Sequence, residues 1–227
     1  MIKALRSILS SLRKKPSGLD DFLKEVSGII HIGANTGQER NLYAKYDLKV
    51  AWVEPIPEIF RQLQKNTEEF TKQKAINALV TDVDGKEYEF HISNNSGESS
   101  SILELHLHRD IWPEVNYSTT IRLKSTTLPS LLKAHELNET DYQALIMDTQ
   151  GSELLVLKGS IPVLKAILFI KTEVPDFEAY AGCCQLKDMN SFMSQHGYKE
   201  YRRSRFARRA QGGNYYNIVY KARRFTR

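Results

Sequence analysis

From residue 28 onward, short apolar runs alternate with segments whose apolar residues recur at helical spacing. This alternation constrains the chain more than any other feature. GIIHI (28–32), Lys49 to Val53, Lys74 to Val80, Ala144 to Met147 and Ile167 to Thr172 read as buried strands. Between and after them, Gln38 to Tyr46, Pro57 to Phe70, Leu128 to Ala134, Glu153 to Lys158 and Gln185 to Gln195 read as helices. Parallel neighbours need long crossovers, so the pattern predicts a parallel α/β sheet with helices on both faces. Two further strands, about 198–206 and 215–221, are joined through Gly212-Gly213. They are expected as an antiparallel pair at one edge, which gives a mixed sheet of about seven strands.

Residues 86–124 depart from the rhythm. Glu87 to Ile92 and Ser118 to Leu123 alternate polar and apolar residues as half-exposed strands do, and are read as an inserted β-hairpin. SNNSGESSS (93–101) between them is read as a flexible loop too polar to pack. Ahead of the sheet, Ile2, Leu5, Ile8, Leu9 and Leu12 form the apolar stripe of an amphipathic helix over residues 1–16, and residues 17–227 are read as a single domain.

Charge narrows the classes of function. Five Lys or Arg in residues 1–15 and nine in residues 202–227, with no acid in either stretch, leave 18 basic against 27 acidic residues between 16 and 201. An acidic body between basic ends repels polyanions, so nucleic acid is not the expected partner despite the net charge of +5. The two cysteines, Cys183 and Cys184, are adjacent, which suits neither an ordinary disulfide nor a thiolate metal site, and a reducing cytoplasm is expected. The basic stripe of residues 1–15 allows peripheral contact with the inner membrane surface, or packing on the domain or on a second copy.

The candidate chemistry lies at the ends of the strands. His31-Ile32-Gly33-Ala34-Asn35-Thr36-Gly37 forms the first strand-to-helix turn, where open α/β sheets bind ligands. Its G-x-x-x-G spacing is neither a dinucleotide fingerprint nor a phosphate loop. Seventeen residues after Gly37, Glu54 ends the second strand ahead of Pro55, the place from which an acid takes both hydroxyls of a ribose. The third strand ends near Ala78 and Leu79, followed by Asp82, where an adenine edge would lie. Asp148 and Glu173 end adjacent strands and are expected on one rim. Candidates for a general base are Asp148, Glu173, and His106 or His108 of the insertion. Glu153 and Glu173 are alternatively read as capping groups or partners of Lys158 and Lys171. Asp148 and Glu173 could also supply oxygen ligands to a divalent cation, a point the sequence leaves open; no metal ligand is assigned.

HIGANTG (31–37), VEPIPEIFRQLQKN (53–66), NALVTDVDGKEYEF (77–90), SGESSS (96–101), TTLPSLL (126–132), LIMDTQGSELLVLKGS (145–160) and FIKTEV (169–174), in this order, resemble the FkbM-type methyltransferases over about residues 28–200. The resemblance implies a class I, Rossmann-like sheet, S-adenosyl-L-methionine as cofactor, and O-methylation of a sugar, glycan or natural-product hydroxyl. It further implies that Gly33, Ala34, Asn35 and Gly37 cradle the methionine end and that Glu54, with Pro55, holds the ribose. Ala78 and Leu79 would flank the adenine, and Asp148, with Thr149, would lie near the transferable methyl. Ser99, Ser100, Ser101, His106 and His108 are expected on the acceptor side. One position departs from the family pattern: His31 stands where Asp is usual, which removes a charge partner but keeps a hydrogen-bonding group.

Two other functions are compatible with the sequence. Aromatics interleave with arginines in Tyr201-Arg202-Arg203-Ser204-Arg205-Phe206 and continue to Arg208-Arg209, as in an RNA methyltransferase on the same fold. A non-catalytic adaptor that binds a membrane or polyanion through its basic ends is the other.

Overall fold

The computed structural model describes residues 18–223; the N-terminal helix expected over residues 1–16 lies outside them. The main sheet holds β1 (Gly28–Ile32), β2 (Lys49–Glu54), β3 (Gln73–Asn77), β7 (Ala144–Met147), β8 (Phe169–Pro175), β9 (Tyr198–Arg208) and β10 (Asn214–Ala222). Their spatial order is β3-β2-β1-β7-β8-β10-β9. β1, β2, β3, β7 and β8 pair in parallel, and β10 runs antiparallel to both β8 and β9. The fold is the mixed α/β sheet expected for class I methyltransferases, with the antiparallel pair at one edge. Strand order reverses between β1 and β7, and a crevice opens there above the strand ends.

Burial explains the central strands. All five residues of β1 and all four of β7 are buried, so both faces of each strand are covered and no polar alternation survives. One face packs on Tyr43 of α1 (Arg40–Lys45), Leu63 of α2 (Pro57–Thr67), and Phe22 and Leu23 of the short turn Asp21–Glu25. The other packs on α3 (Leu128–Ala134), α4 (Glu153–Ser160) and α5 (Leu186–Gln195) through Leu131, Val156, Leu157, Met189 and Phe192. Pro57 and Pro129 occupy first-turn positions in α2 and α3, where a missing amide costs nothing.

The inserted hairpin is present as β5 (Glu87–Ser93) and β6 (Tyr117–Thr126), paired antiparallel. Two expectations need correction. The third apolar run is divided: Gln73–Asn77 joins the main sheet, whereas Leu79–Val80 is β4 and pairs with β6 in a separate three-stranded sheet. Asn77 marks the division, its side-chain amide donating to the Glu54 and Pro55 carbonyls at 2.8 and 3.0 Å. The serine-rich connection does pack, with Ser99, Ser100 and Ser101 all buried. Its polar atoms satisfy one another: the Ser93 amide donates to the Ser100 hydroxyl at 3.0 Å, and the Ser99 amide to the Ser93 hydroxyl at 3.1 Å. Among the described residues no helix is long and apolar enough to cross a membrane.

Candidate active site

The turn after β1 is shaped by close backbone contact. Gly33 and Ala34 both donate to the Val53 carbonyl, at 2.9 and 3.1 Å, while the Asp148 amide donates to the Ile32 carbonyl at 3.0 Å. The turn is thus tied to β2 on one side and to the end of β7 on the other. Its next residue, Asn35, has φ of 45°, and its amide donates to Glu54 Oε2 at 2.9 Å. The Ile56 amide donates to Glu54 Oε1 at 2.9 Å. Glu54 is only 4% exposed, and burial pushes its pKa up to about 7 although both amides favour the ionised form.

Adjacent strand ends bring three carboxylates together. Met147 lies opposite Thr172, so Asp148 and Glu173 follow side by side. Burial, then the charges of Glu173 and Glu153, hold Asp148 well above the usual carboxylate range. Burial and the charge of Glu153 push Glu173 up to about 7, against an opposing hydrogen bond from Asn217. Glu153 accepts from the Thr149 amide at 2.9 Å and the Gly151 amide at 3.1 Å, closing the turn ahead of α4. It therefore caps this turn, as one reading of the sequence had it. Lys171 pairs with Asp20 at 2.7 Å, so Glu173 is not its partner.

Gln150 sets the orientation of Asp148. Its side-chain nitrogen donates to Asp148 Oδ1 at 2.5 Å, its side-chain oxygen accepts from the Tyr180 hydroxyl at 2.6 Å, and its φ is 52°. Tyr180 determines which end of the amide faces the carboxylate.

Above these strand ends lies a cavity of about 560 Å³, within the range of small-molecule sites. His31, Gly33, Ala34, Asn35, Glu54, Pro55, Ala78, Leu79, Asp148, Thr149 and Glu173 all line it. So do Ser99, Ser100 and His108 from the insertion. His108 is buried between the Ser99 hydroxyl (3.3 Å to Nε2) and the Tyr215 hydroxyl (3.0 Å to Nδ1); burial lowers its pKa to about 4 and keeps it neutral.

Four residues singled out from the sequence lie off the cavity lining. Gly37 is directed at α2, where a Cβ would meet Leu63 at 2.8 Å. Ser101 donates to the Gln150 carbonyl at 2.8 Å and supports the wall from behind. His106 is exposed and points to the Glu178 carbonyl, 3.1 Å away. Asp82 is exposed beyond β4, because the division of the third apolar run carries the chain away before it is reached. Among the described residues no group of three or more His, Cys, Asp or Glu side chains is arranged to hold a metal ion.

A family profile described as Methyltransferase FkbM domain matches residues 31–200, three quarters of the chain. The chain belongs to the FkbM methyltransferase family. Comparison with curated proteins gave no significant match. Among solved structures, the METTL16 MTase domain is similar with a TM-score of 0.53 and 12% identity, over 90% of this chain and 64% of that one. TrmK of M. capricolum, solved with S-adenosyl-homocysteine, is similar with a TM-score of 0.51 and 11% identity, over 92% of this chain and 69% of that one. At such identities these two likenesses speak for the fold alone.

In this FkbM-family chain, His31 is built into the sheet rather than set free in the turn. It is buried, stacked 5.1 Å from the Trp52 ring, and its Nδ1 lies 3.2 Å from the Tyr43 hydroxyl. Burial lowers its pKa to about 4, so it meets the cavity as a neutral ring. The sequence reading missed Gln150 and the aromatic wall of Trp112, Phe206 and Tyr215. Gln150 had a signal, since it stands two residues beyond Asp148 and just before Gly151. The wall had none, because Trp112 belongs to the insertion while Phe206 and Tyr215 come from β9 and β10, about a hundred residues further along.

Proposed function

We propose that this FkbM-family methyltransferase uses S-adenosyl-L-methionine to methylate a hydroxyl oxygen of a small sugar-like or natural-product acceptor. The observation that carries the reading is that Asp148 and Glu173 line the same cavity as the β1 turn and Glu54. The residues present fit the cofactor. Glu54 is held by two backbone amides with lone pairs left for two ribose hydroxyls, and Ala78, Leu79 and Val80 offer an apolar shelf for a base. Neutral His31 stands near the β1 turn as a hydrogen-bonding group.

When bound, S-adenosyl-L-methionine supplies a methyl group already activated by the sulfonium. The protein has then to align an acceptor oxygen and remove one proton. The Asp148–Glu173 pair does the latter: burial and the charge of Glu173 hold Asp148 well above the usual carboxylate range, burial and the charge of Glu153 push Glu173 up to about 7, and Glu173 is thereby the member suited to accept the proton near neutrality. Gln150 and Tyr180 hold Asp148 in one orientation. The buried hydroxyls of Ser99 and Ser100 and the insertion loop close over the acceptor end. Calorimetric titration with S-adenosylhomocysteine, followed by methyl transfer from labelled donor to a panel of hydroxyl acceptors, tests the reading. Absence of cofactor binding would sink it.

A further inference from the structure

The cavity is lined by six acidic side chains, Glu39, Glu54, Glu98, Glu114, Asp148 and Glu173, three of which (Glu54, Asp148 and Glu173) have their pKa raised by burial, and by no Lys or Arg among the described residues. Three basic side chains of flanking segments are engaged by other partners. Lys171 is paired with Asp20 at 2.7 Å, Arg209 with Asp110 at 2.5 Å, and Arg40 donates to the Gly37 carbonyl at 3.0 Å. His31 and His108 enter as neutral rings. The acceptor end also has an aromatic wall, Trp112, Phe206 and Tyr215, with Phe206 43% exposed at the mouth. The Trp112 and Tyr215 rings lie 5.6 Å apart, and those of Phe206 and Tyr215 5.5 Å apart.

A cleft with walls of one sign focuses its field and concentrates ligands of the opposite sign. Aromatic faces act in the same direction, since they attract cations and stack on the apolar faces of sugar rings. A phosphate or carboxylate on the acceptor would meet acidic side chains on several sides and no compensating donor of positive charge. We infer that the acceptor is a cationic, amine-bearing polyol of the amino-sugar type, and that phosphorylated and uronic-acid acceptors are rejected. The inference rests on the cavity being the acceptor site of the reaction proposed above. Exposed Glu98 and Glu114, both from the insertion, are the acids best placed to select for charge, because they line the cavity and remain open to solvent.

Three probes of one shape separate the alternatives: methyl glucosaminide, methyl glucoside and methyl glucuronide. Saturation-transfer NMR on the full chain reads their binding without any donor, and methyl transfer from labelled S-adenosyl-L-methionine reads turnover. The expected result is amine binding about tenfold tighter than the neutral sugar at low salt, with no detectable uronide binding and a preference that shrinks as salt rises. The double substitution Glu98→Gln and Glu114→Gln, at exposed positions that leave the fold intact, brings the amine-to-neutral ratio towards one. Equal or better binding of the neutral or acidic probe, no binding of the amine, or an unchanged ratio in the double variant would each overturn the inference. An amine preference without methyl transfer would leave the inference standing and count against the proposed reaction, whereas transfer to the uronide would do the reverse.

Discussion

A Cβ placed on Gly33 would sit 1.8 Å from the carbonyl oxygen of Asp148. The turn after β1 and the end of β7 therefore approach to a distance that only glycine permits, and the turn that opens the cavity is held against the strand end that carries Asp148. Gly33 also has φ of +78°, which an L-residue resists.

Gly33→Ala is accordingly expected to cost about 3 kcal/mol or more of stability, because backbone must move on both sides. Gly85 is the matched control: its φ is +76° but nothing lies within 4 Å of a Cβ there, so Gly85→Ala should cost only about 1 kcal/mol. Urea unfolding of the two variants measures the difference. Equal losses would show that the contact with Asp148 is unimportant.

Glu54→Ala is expected to weaken S-adenosylhomocysteine binding by about 1 to 3 kcal/mol, through lost charge-assisted hydrogen bonds, while the protein stays folded. Calorimetry reads the affinity and circular dichroism the fold. An unchanged affinity would move the ribose away from Glu54.

Asp148→Asn and Glu173→Gln should each lower turnover about 100-fold or more while cofactor affinity changes little, since a lost proton acceptor acts on the chemical step. Single-turnover kinetics beside calorimetry separates the two. If affinity falls as far as turnover does, the residue holds the cofactor and is not the base.

Stability should depend on pH with opposite signs at two neighbouring sites. Glu173 has its pKa raised from 4.5 to about 7, so the folded state binds its proton more tightly than the unfolded chain does. Its stabilising contribution is full below pH 4.5 and is lost as pH rises to about 7. His108 has its pKa lowered from 6.5 to about 4, so its contribution is present above pH 6.5 and is lost as pH falls towards 4. Denaturation of the unmodified protein, Glu173→Gln and His108→Gln across pH 4 to 8 isolates each profile by difference. A Glu173 difference profile that is flat between pH 4.5 and 7 would show that its carboxyl is not desolvated.

The sequence by itself determined the parallel core and which side chains stand at its strand ends. Runs such as Gly28–Ile32 and Ala144–Met147 have no polar alternation, which only a strand covered on both faces tolerates, and the turn residues that follow them are local in sequence. Glu54, Asp148 and Glu173 were legible for the same reason: each directly follows or ends such a run. Tertiary structure alone decided the fate of polar residues in the insertion. His106 and His108 stand two residues apart in one motif, yet the first is exposed and the second is buried against Tyr215, 107 residues further along the chain. The serines of 99–101 look like solvent-exposed loop and are buried because their hydroxyls find partners in Asn95 and His108 for Ser99, Ser93 for Ser100, and the Gln150 carbonyl for Ser101. Local patterning reports how much apolar surface a segment must hide. It does not report which distant donor will satisfy a buried hydroxyl or imidazole, and that partner is what makes the burial of a polar group tolerable.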